Sequence, residues 1–184
     1  EESRLGRGEG GGVGLTGVEM GAGVGAGGSA VARGPEKWQV CKDRGADITI
    51  DSAQEDVVTR VKALGGVDVV YDPVGGDPFV AALKCCRPEA RYLVIGFASG
   101  DVPQIKANHL LVKNVDVLGF YWGGYMGFAP QILRDSLTEV LAMITKGLLN
   151  PHIGGSYDFD QALEALADLK ARNSIGKLVV RGPV

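Results

Sequence analysis

The sequence predicts an α/β fold, a doubly wound parallel sheet with strand order 3-2-1-4-5-6, from three observations. Short β-branched and apolar runs recur along the chain from about residue 29. Segments with apolar residues at helical spacing separate these runs. A glycine-rich stretch, GRGEGGGVGL at 6–15, precedes both, where such a fold turns from its first strand into its first helix.

Taken in order, the opening segment ESRLGRG reads as a poor buried strand, because Arg4, Gly6 and Arg7 stand where Val, Ile or Leu is expected. Behind it Val13, Thr16, Met20 and Val24 share one helical face. Gly17, Gly21, Gly23 and Gly25 weaken that helix by about 1 kcal/mol each relative to alanine. Thirteen of the 29 glycines fall within residues 6–34, so residues 1–28 are the least specified part of the chain.

The later elements are clearer. SAVA (29–32), DITI (47–50), VDVVY (67–71), RYLVIGF (91–97) and VDVLGF (115–120) have the length of buried parallel strands. A helix opens at Pro35 and stops near Gly45, as proline and glycine at those ends predict. The next carries Val57, Val58, Val61 and Leu64 on one face, and a third, 77–86, carries Phe79, Ala82, Leu83 and Cys86. The strongest periodicity is Leu133, Leu137, Val140, Leu141 and Ile144 within 130–146. A last helix over 160–172 carries Leu163, Leu166 and Leu169, and the strand GKLVVR follows. No internal repeat is present.

Composition narrows the function. With 45% hydrophobic and 22% charged residues, 184 residues suit one soluble domain with a small appendage. Nineteen basic against 22 acidic residues leave a net charge of −3, which gives nucleic acid no basic stripe to bind. No apolar run is long enough to span a membrane, and no signal pattern opens the chain. Without an initiating methionine, the chain reads as a piece of something longer. Cys41, Cys85 and Cys86 are too few for a disulfide framework or a Cys-rich zinc site, so they are expected as reduced, buried thiols in a cytoplasmic or mitochondrial protein. His109 and His152 sit far apart and are expected to be structural or surface residues.

The pattern G-x-G-x-x-G occurs three times between Gly6 and Gly28, which shows how little one match means in so glycine-rich a segment. Register is more selective: the second strand ends at Arg33, followed by Lys37, where an NAD site wants a carboxylate. Two cations there would attract a 2′-phosphate, so a dinucleotide site in this chain favours NADPH. Against this stands the reading of both as solvated charges at a helix start.

Seven stretches carry a resemblance: GGVGL (11–15), ARGPEK (32–37), RGADITID (44–51), GVDVVYDPVGGD (66–77), YLVIGFASGDVPQIKANHLLVKN (92–114), GFYWGGY (119–125) and GKLVVR (176–181). Through them the chain resembles the nucleotide-binding half of the medium-chain dehydrogenase/reductase superfamily, in its zinc-independent quinone oxidoreductase branch. The resemblance implies a Rossmann domain over 1–150. It makes 151–184 a helix and strand that return toward a GroES-like catalytic domain, to which nothing here corresponds.

It further implies that Gly11, Gly12, Val13 and Gly14 hold a pyrophosphate, with Gly8 where the family pattern usually has alanine. Lys37 would meet the 2′-phosphate, Arg33 would add a cation, and Ser52 would stand where a tyrosine often touches that phosphate. Asp72 and Val74 would lie beside the nicotinamide ribose. Gly96, Phe97, Tyr121 and Trp122 would wall the cleft, and Arg172 and Lys177 would approach the cofactor. The competing readings are a plain turn at Asp72–Pro73, core or dimer-contact aromatics, and an edge charge at Lys177. The implied activity is NADPH-dependent reduction of a quinone or related enone by hydride transfer, without metal. A homodimer through the sixth strand is also implied. A nucleotide-binding module without turnover and an enoyl-thioester reductase are the alternatives, and no catalytic acid or base is assigned.

Overall fold

In the computed structural model, which describes residues 2–8 and 10–183, six strands form one parallel sheet in the order β3-β2-β1-β4-β5-β6. The strands are β1 (Ser3–Arg7), β2 (Gly27–Ala32), β3 (Ile48–Asp51), β4 (Val67–Asp72), β5 (Cys86–Val94) and β6 (Asp116–Gly119). The helices between them are α1 (Gly12–Gly23), α2 (Pro35–Asp43), α3 (Val57–Ala63), α4 (Gly76–Cys85) and α5 (Ala107–Leu111). This is the doubly wound order that the sequence predicts, with every neighbouring pair parallel.

Leu5, Val70 and Tyr92 pair in register across β1, β4 and β5, and all three are fully buried. With Val31, Ile50, Val61, Phe79, Ala82 and Leu83 they form the larger core cluster, between the sheet and α3 and α4. The predicted face of α4 enters this core as expected. Leu15, Val18, Ala30, Ala32 and Cys41 form the second cluster, on the side of α1 and α2.

The opening segment corrects the sequence reading, for 3–7 is the central strand β1. Arg4 leaves the strand on the α1 side, and its guanidinium donates to the carbonyls of Gly17 and Val18. A methyl group at Gly21 would collide with that guanidinium. The glycines that weaken α1 in isolation therefore make room for a charged side chain, and packing overrides propensity. The buried face of α1 is accordingly Gly14, Leu15, Val18 and Gly21, while Val13, Met20 and Val24 are exposed.

Beyond β6 lie α6 (Tyr125–Phe128), α7 (Pro130–Thr145), β7 (Ile153–Tyr157), α8 (Ala162–Lys170) and β8 (Lys177–Val180). β7 and β8 pair parallel in a separate two-stranded sheet. β7 is absent from the sequence reading because IGGSY has two glycines and no alternation. α7 spans the expected residues, but of its apolar stripe only Leu133 is buried, because the helix packs chiefly on α6. α8 likewise turns Ala165 inward and leaves Leu163, Leu166 and Leu169 exposed.

Candidate nucleotide-binding site

The turn between β1 and α1 is shaped by its glycines. Gly8 has φ +69°, which a side chain would strain, and its carbonyl accepts from Gly11 N at 3.1 Å. Gly11 caps α1 in an extended conformation, no described side chain caps the helix, and no acidic residue enters its first turn. The helix N-terminus thus presents backbone N–H groups and a partial positive charge.

Two predicted cations, and the main chain of a third, come together from distant parts of the chain beside this turn. The aliphatic part of Lys37 occupies the space a Cβ on Gly10 would need, at 2.6 Å from Cδ. Lys177 does the same at Gly12, with its Nζ 3.0 Å from the missing Cβ position. Lys37 Nζ donates to the Arg172 carbonyl at 2.7 Å, while Gly176 N donates to Gly10 O at 3.0 Å. Gly11 and Gly176 form a parallel bridge, so the approach to β8 runs beside the glycine turn. Gly10 and Gly176 adjoin this turn and are absent from the sequence-predicted site; a glycine immediately before Lys177 is the available signal. Gly14 is buried against the sheet, and Val13 is 46% exposed beside the turn.

Arg33 and Ser52 stand at the adjoining ends of β2 and β3. Arg33 is exposed, and the Ser52 main-chain N–H donates to the Ala32 carbonyl at 3.1 Å. Lys37 stands in the first turn of α2, where its amine donates to the Arg172 carbonyl. Asp51 is the carboxylate here: its Oδ1 accepts from Ala53 N at 2.9 Å and Gly34 N at 3.4 Å.

The loops after β4 and β5 form one wall. Ala98 N donates to Pro73 O, Ser99 N to Val74 O and Gly76 N to Asp101 O, at 2.9–3.1 Å. This brings Asp72, Val74, Gly96 and Phe97 together, and Val74 Cγ2 lies 3.1 Å from where Gly8 would carry a Cβ. Asp72 itself is 1% exposed and faces inward. Its Oδ1 accepts from Val74 N at 2.8 Å and Gly75 N at 3.1 Å, and its Oδ2 from the Tyr92 hydroxyl at 2.7 Å. Its carboxylate therefore shapes the loop from below. Burial, then the hydrogen bond to Asp72 and that group's charge, push the Tyr92 phenol well above its ordinary range.

Tyr121 and Trp122 end β6 on the same edge of the sheet, 80% and 41% exposed. Neither is a core aromatic. Tyr121 packs over Gly123 and Gly124, while Phe120, Tyr125 and Phe128 form a separate aromatic group. A cavity of about 290 Å³ opens between α2 and the β7–β8 pair, lined by Glu36, His152, Tyr157, Asp168 and Asn173 among others. It borders the Lys37–Arg172 contact, yet none of the predicted site residues lines it.

A family model described as zinc-binding dehydrogenase matches residues 44–180. The chain is 38% identical over 174 residues to the quinone oxidoreductase-like protein 2 homolog of Nematostella vectensis, covering 92% of this chain and 48% of that protein. In structure it is similar to a quinone oxidoreductase of Pseudomonas syringae pv. Tomato DC3000, with TM-score 0.87, 31% identity, and coverage of 97% of this chain and 56% of that one. It is also similar to the Escherichia coli quinone oxidoreductase complexed with NADPH, with TM-score 0.86, 26% identity and coverage of 98% and 57%. The chain spans about half the length of the curated relatives it matches. The family description names zinc, but the described residues gather no group of three or more His, Cys, Asp or Glu that could hold a metal.

Proposed function

The chain belongs to the zinc-binding dehydrogenase family and, among medium-chain dehydrogenases/reductases, to the quinone oxidoreductase branch, and on that premise we propose that it is the NADPH-binding half of a quinone or enone reductase. The observation that carries the reading is the meeting of the α1 N-terminus with Lys37 and Lys177 over Gly10 and Gly12. Backbone N–H groups at a helix start suit a pyrophosphate, and flanking cations add charge-assisted contacts. The residues thus fit a phosphorylated dinucleotide.

Gly11, Gly12, Val13 and Gly14 hold the pyrophosphate in this reading. Lys37, with Arg33 and Ser52 toward the ends of β2 and β3, takes the 2′-phosphate, and Arg172 and Lys177 close the other flank. Asp72 positions the loop whose Val74 faces the nicotinamide ribose, while Gly96, Phe97, Tyr121 and Trp122 border the reacting ring. When bound, the nicotinamide supplies a hydride to an electron-poor acceptor, whose reduced product completes its protonation from water. The chain's own contribution is orientation, so no acid or base is assigned.

In the same reading residues 1–150 form the cofactor domain, and 151–184 belong with a catalytic half. Chains pair through the edge strand β6. The buried thiols of Cys85 and Cys86 favour a reducing compartment, cytoplasmic or mitochondrial. A nucleotide-binding module without turnover is the second reading, and an enoyl thioester is the alternative acceptor. Fluorescence titration with NADPH and NADH, followed by an assay with a simple quinone, tests all of this. Tight NADPH binding with quinone turnover supports the proposal. Binding without turnover supports the second reading, and equally negligible binding of both cofactors removes the site.

A further inference from the structure

We propose that Arg7 is a positioning residue, a buried cation that balances the buried Asp72 carboxylate and so holds the 73–76 loop against the glycine turn. In the sequence Arg7 is a defect in a strand. In the structure it is 7% exposed, at the end of the central strand. Gly6 pairs with Tyr71, so the next residues along these parallel strands are Arg7 and Asp72, on the face that carries Leu5, Val70 and Tyr92.

The groups facing Arg7 electrostatically are Asp72 of β4, Tyr92 of β5 and Cys85 of α4; burial pushes its guanidinium down and these three hold it up. Among the described residues its Nη1 finds no hydrogen-bond partner. A guanidinium buried with a free donor is a poor packing choice, and removing it costs little unless its charge is used. Asp72 supplies the use. Its three partners are two amides and a phenol, all neutral, so they solvate the carboxylate without cancelling its charge.

The consequence runs outward through the main chain. The Val74 and Gly75 amides hang on Asp72 Oδ1, Pro73 and Val74 carbonyls hold the β5 loop, and Val74 touches the turn at Gly8. A carboxylate left without its balancing cation would be drawn toward water and would loosen both loops at the cofactor face. This step rests on the cofactor reading above only where it predicts NADPH affinity.

The test uses Arg7→Met and Arg7→Lys in the full chain, with amide hydrogen exchange at Val74 and Gly75, NADPH titration and thermal melting. Arg7→Met is expected to speed exchange at both amides and to weaken NADPH binding about tenfold, the size of effect that packed networks carry between sites. Its melting temperature should fall, because the Asp72 carboxylate is left buried without its balancing cation. Arg7→Lys should restore both amides, and in an Asp72→Asn background Arg7→Met should change nothing further. Unchanged exchange at Val74 and Gly75 in Arg7→Met overturns the assignment, as does a loss that Arg7→Lys fails to restore. If the unaltered chain binds no NADPH, the cofactor reading fails, and the exchange measurements still decide the role of Arg7.

Discussion

Lys37 Nζ donates to the Arg172 carbonyl at 2.7 Å, so a side chain from the first turn of α2 closes on the main chain just beyond α8. The amine keeps two protons for other acceptors, and its stem lies over Gly10 at the start of the glycine turn.

Replacing Arg33 and Lys37 together by alanine should therefore erode NADPH preference. Lost charge-assisted contacts of about 1.5–3 kcal/mol correspond to a tenfold or larger drop in NADPH affinity. NADH affinity should stay nearly unchanged, because NADH has no 2′-phosphate. Parallel titrations with the two cofactors check this, and an equal fall in both affinities removes the 2′-phosphate role.

Arg172 has φ +59° just past α8, where its N–H bonds to Leu169 and that of Asn173 to Asp168. Glycine is the favoured residue at such a helix end. Arg172→Gly should raise stability by about 1 kcal/mol, from relief of the left-handed conformation. The Lys37 contact should survive, since it is made to the main chain. If the guanidinium reaches the cofactor, NADPH affinity falls while the melting temperature rises, a divergence that a purely structural role would not produce.

Gly75 is a harder constraint. It has φ +70°, and a Cβ there would lie 2.9 Å from both the Asp101 carbonyl oxygen and Phe97 Cδ1. Gly75→Ala should cost about 2–3 kcal/mol from backbone strain plus overpacking, and should displace Phe97. Denaturant unfolding measures the first effect. A fall in cofactor affinity measured well below the unfolding transition would register the second.

Burial raises the thiols of both Cys85 and Cys86, the latter from 9.0 to about 11. The unfolded chain releases these protons first, so the stabilisation is complete below pH 9 and is lost as pH rises toward about 11. The melting temperature should fall across that window in a parallel scan of wild type and Cys86→Ala, with a shallower fall in the variant. At pH 8 the native chain should show no fast-reacting thiol, whereas unfolding should expose all three cysteines.

The strands after residue 29 are legible because each is a short buried run with a helix of matching length behind it. Val67–Asp72 and the Phe79–Ala82–Leu83 face of α4 need no tertiary context to be recognised. β1 fails that test because its two arginines are accommodated by other elements, Arg4 by the glycines of α1 and Arg7 by the core beneath Asp72. The face of α1 was misread for the same reason: an exposed Val13 and Met20 outrank glycine in any hydrophobic pattern, but it is the glycines that permit close approach. The leucines of α7 and α8 show the converse, since periodicity predicts an apolar face but not what covers it.

Within the site, the glycine turn and its N-terminal helix are local features, and so is the identity of the residues that end each strand. Doubly wound topology then places those ends on one edge of the sheet; Arg33 is legible from that position alone, whereas Ser52, Asp72, Phe97 and Tyr121 are named through the family resemblance. The sequence by itself determined the alternation of strands and helices, and with it a parallel sheet joined by right-handed connections, because both follow from local periodicity. Only the tertiary structure decided that Lys37 and Lys177 lie over Gly10 and Gly12, with the Lys37 amine held by the Arg172 carbonyl, and that Asp72 turns inward beside Arg7. Those contacts join residues many positions apart through the space glycine leaves open, and no local pattern records them.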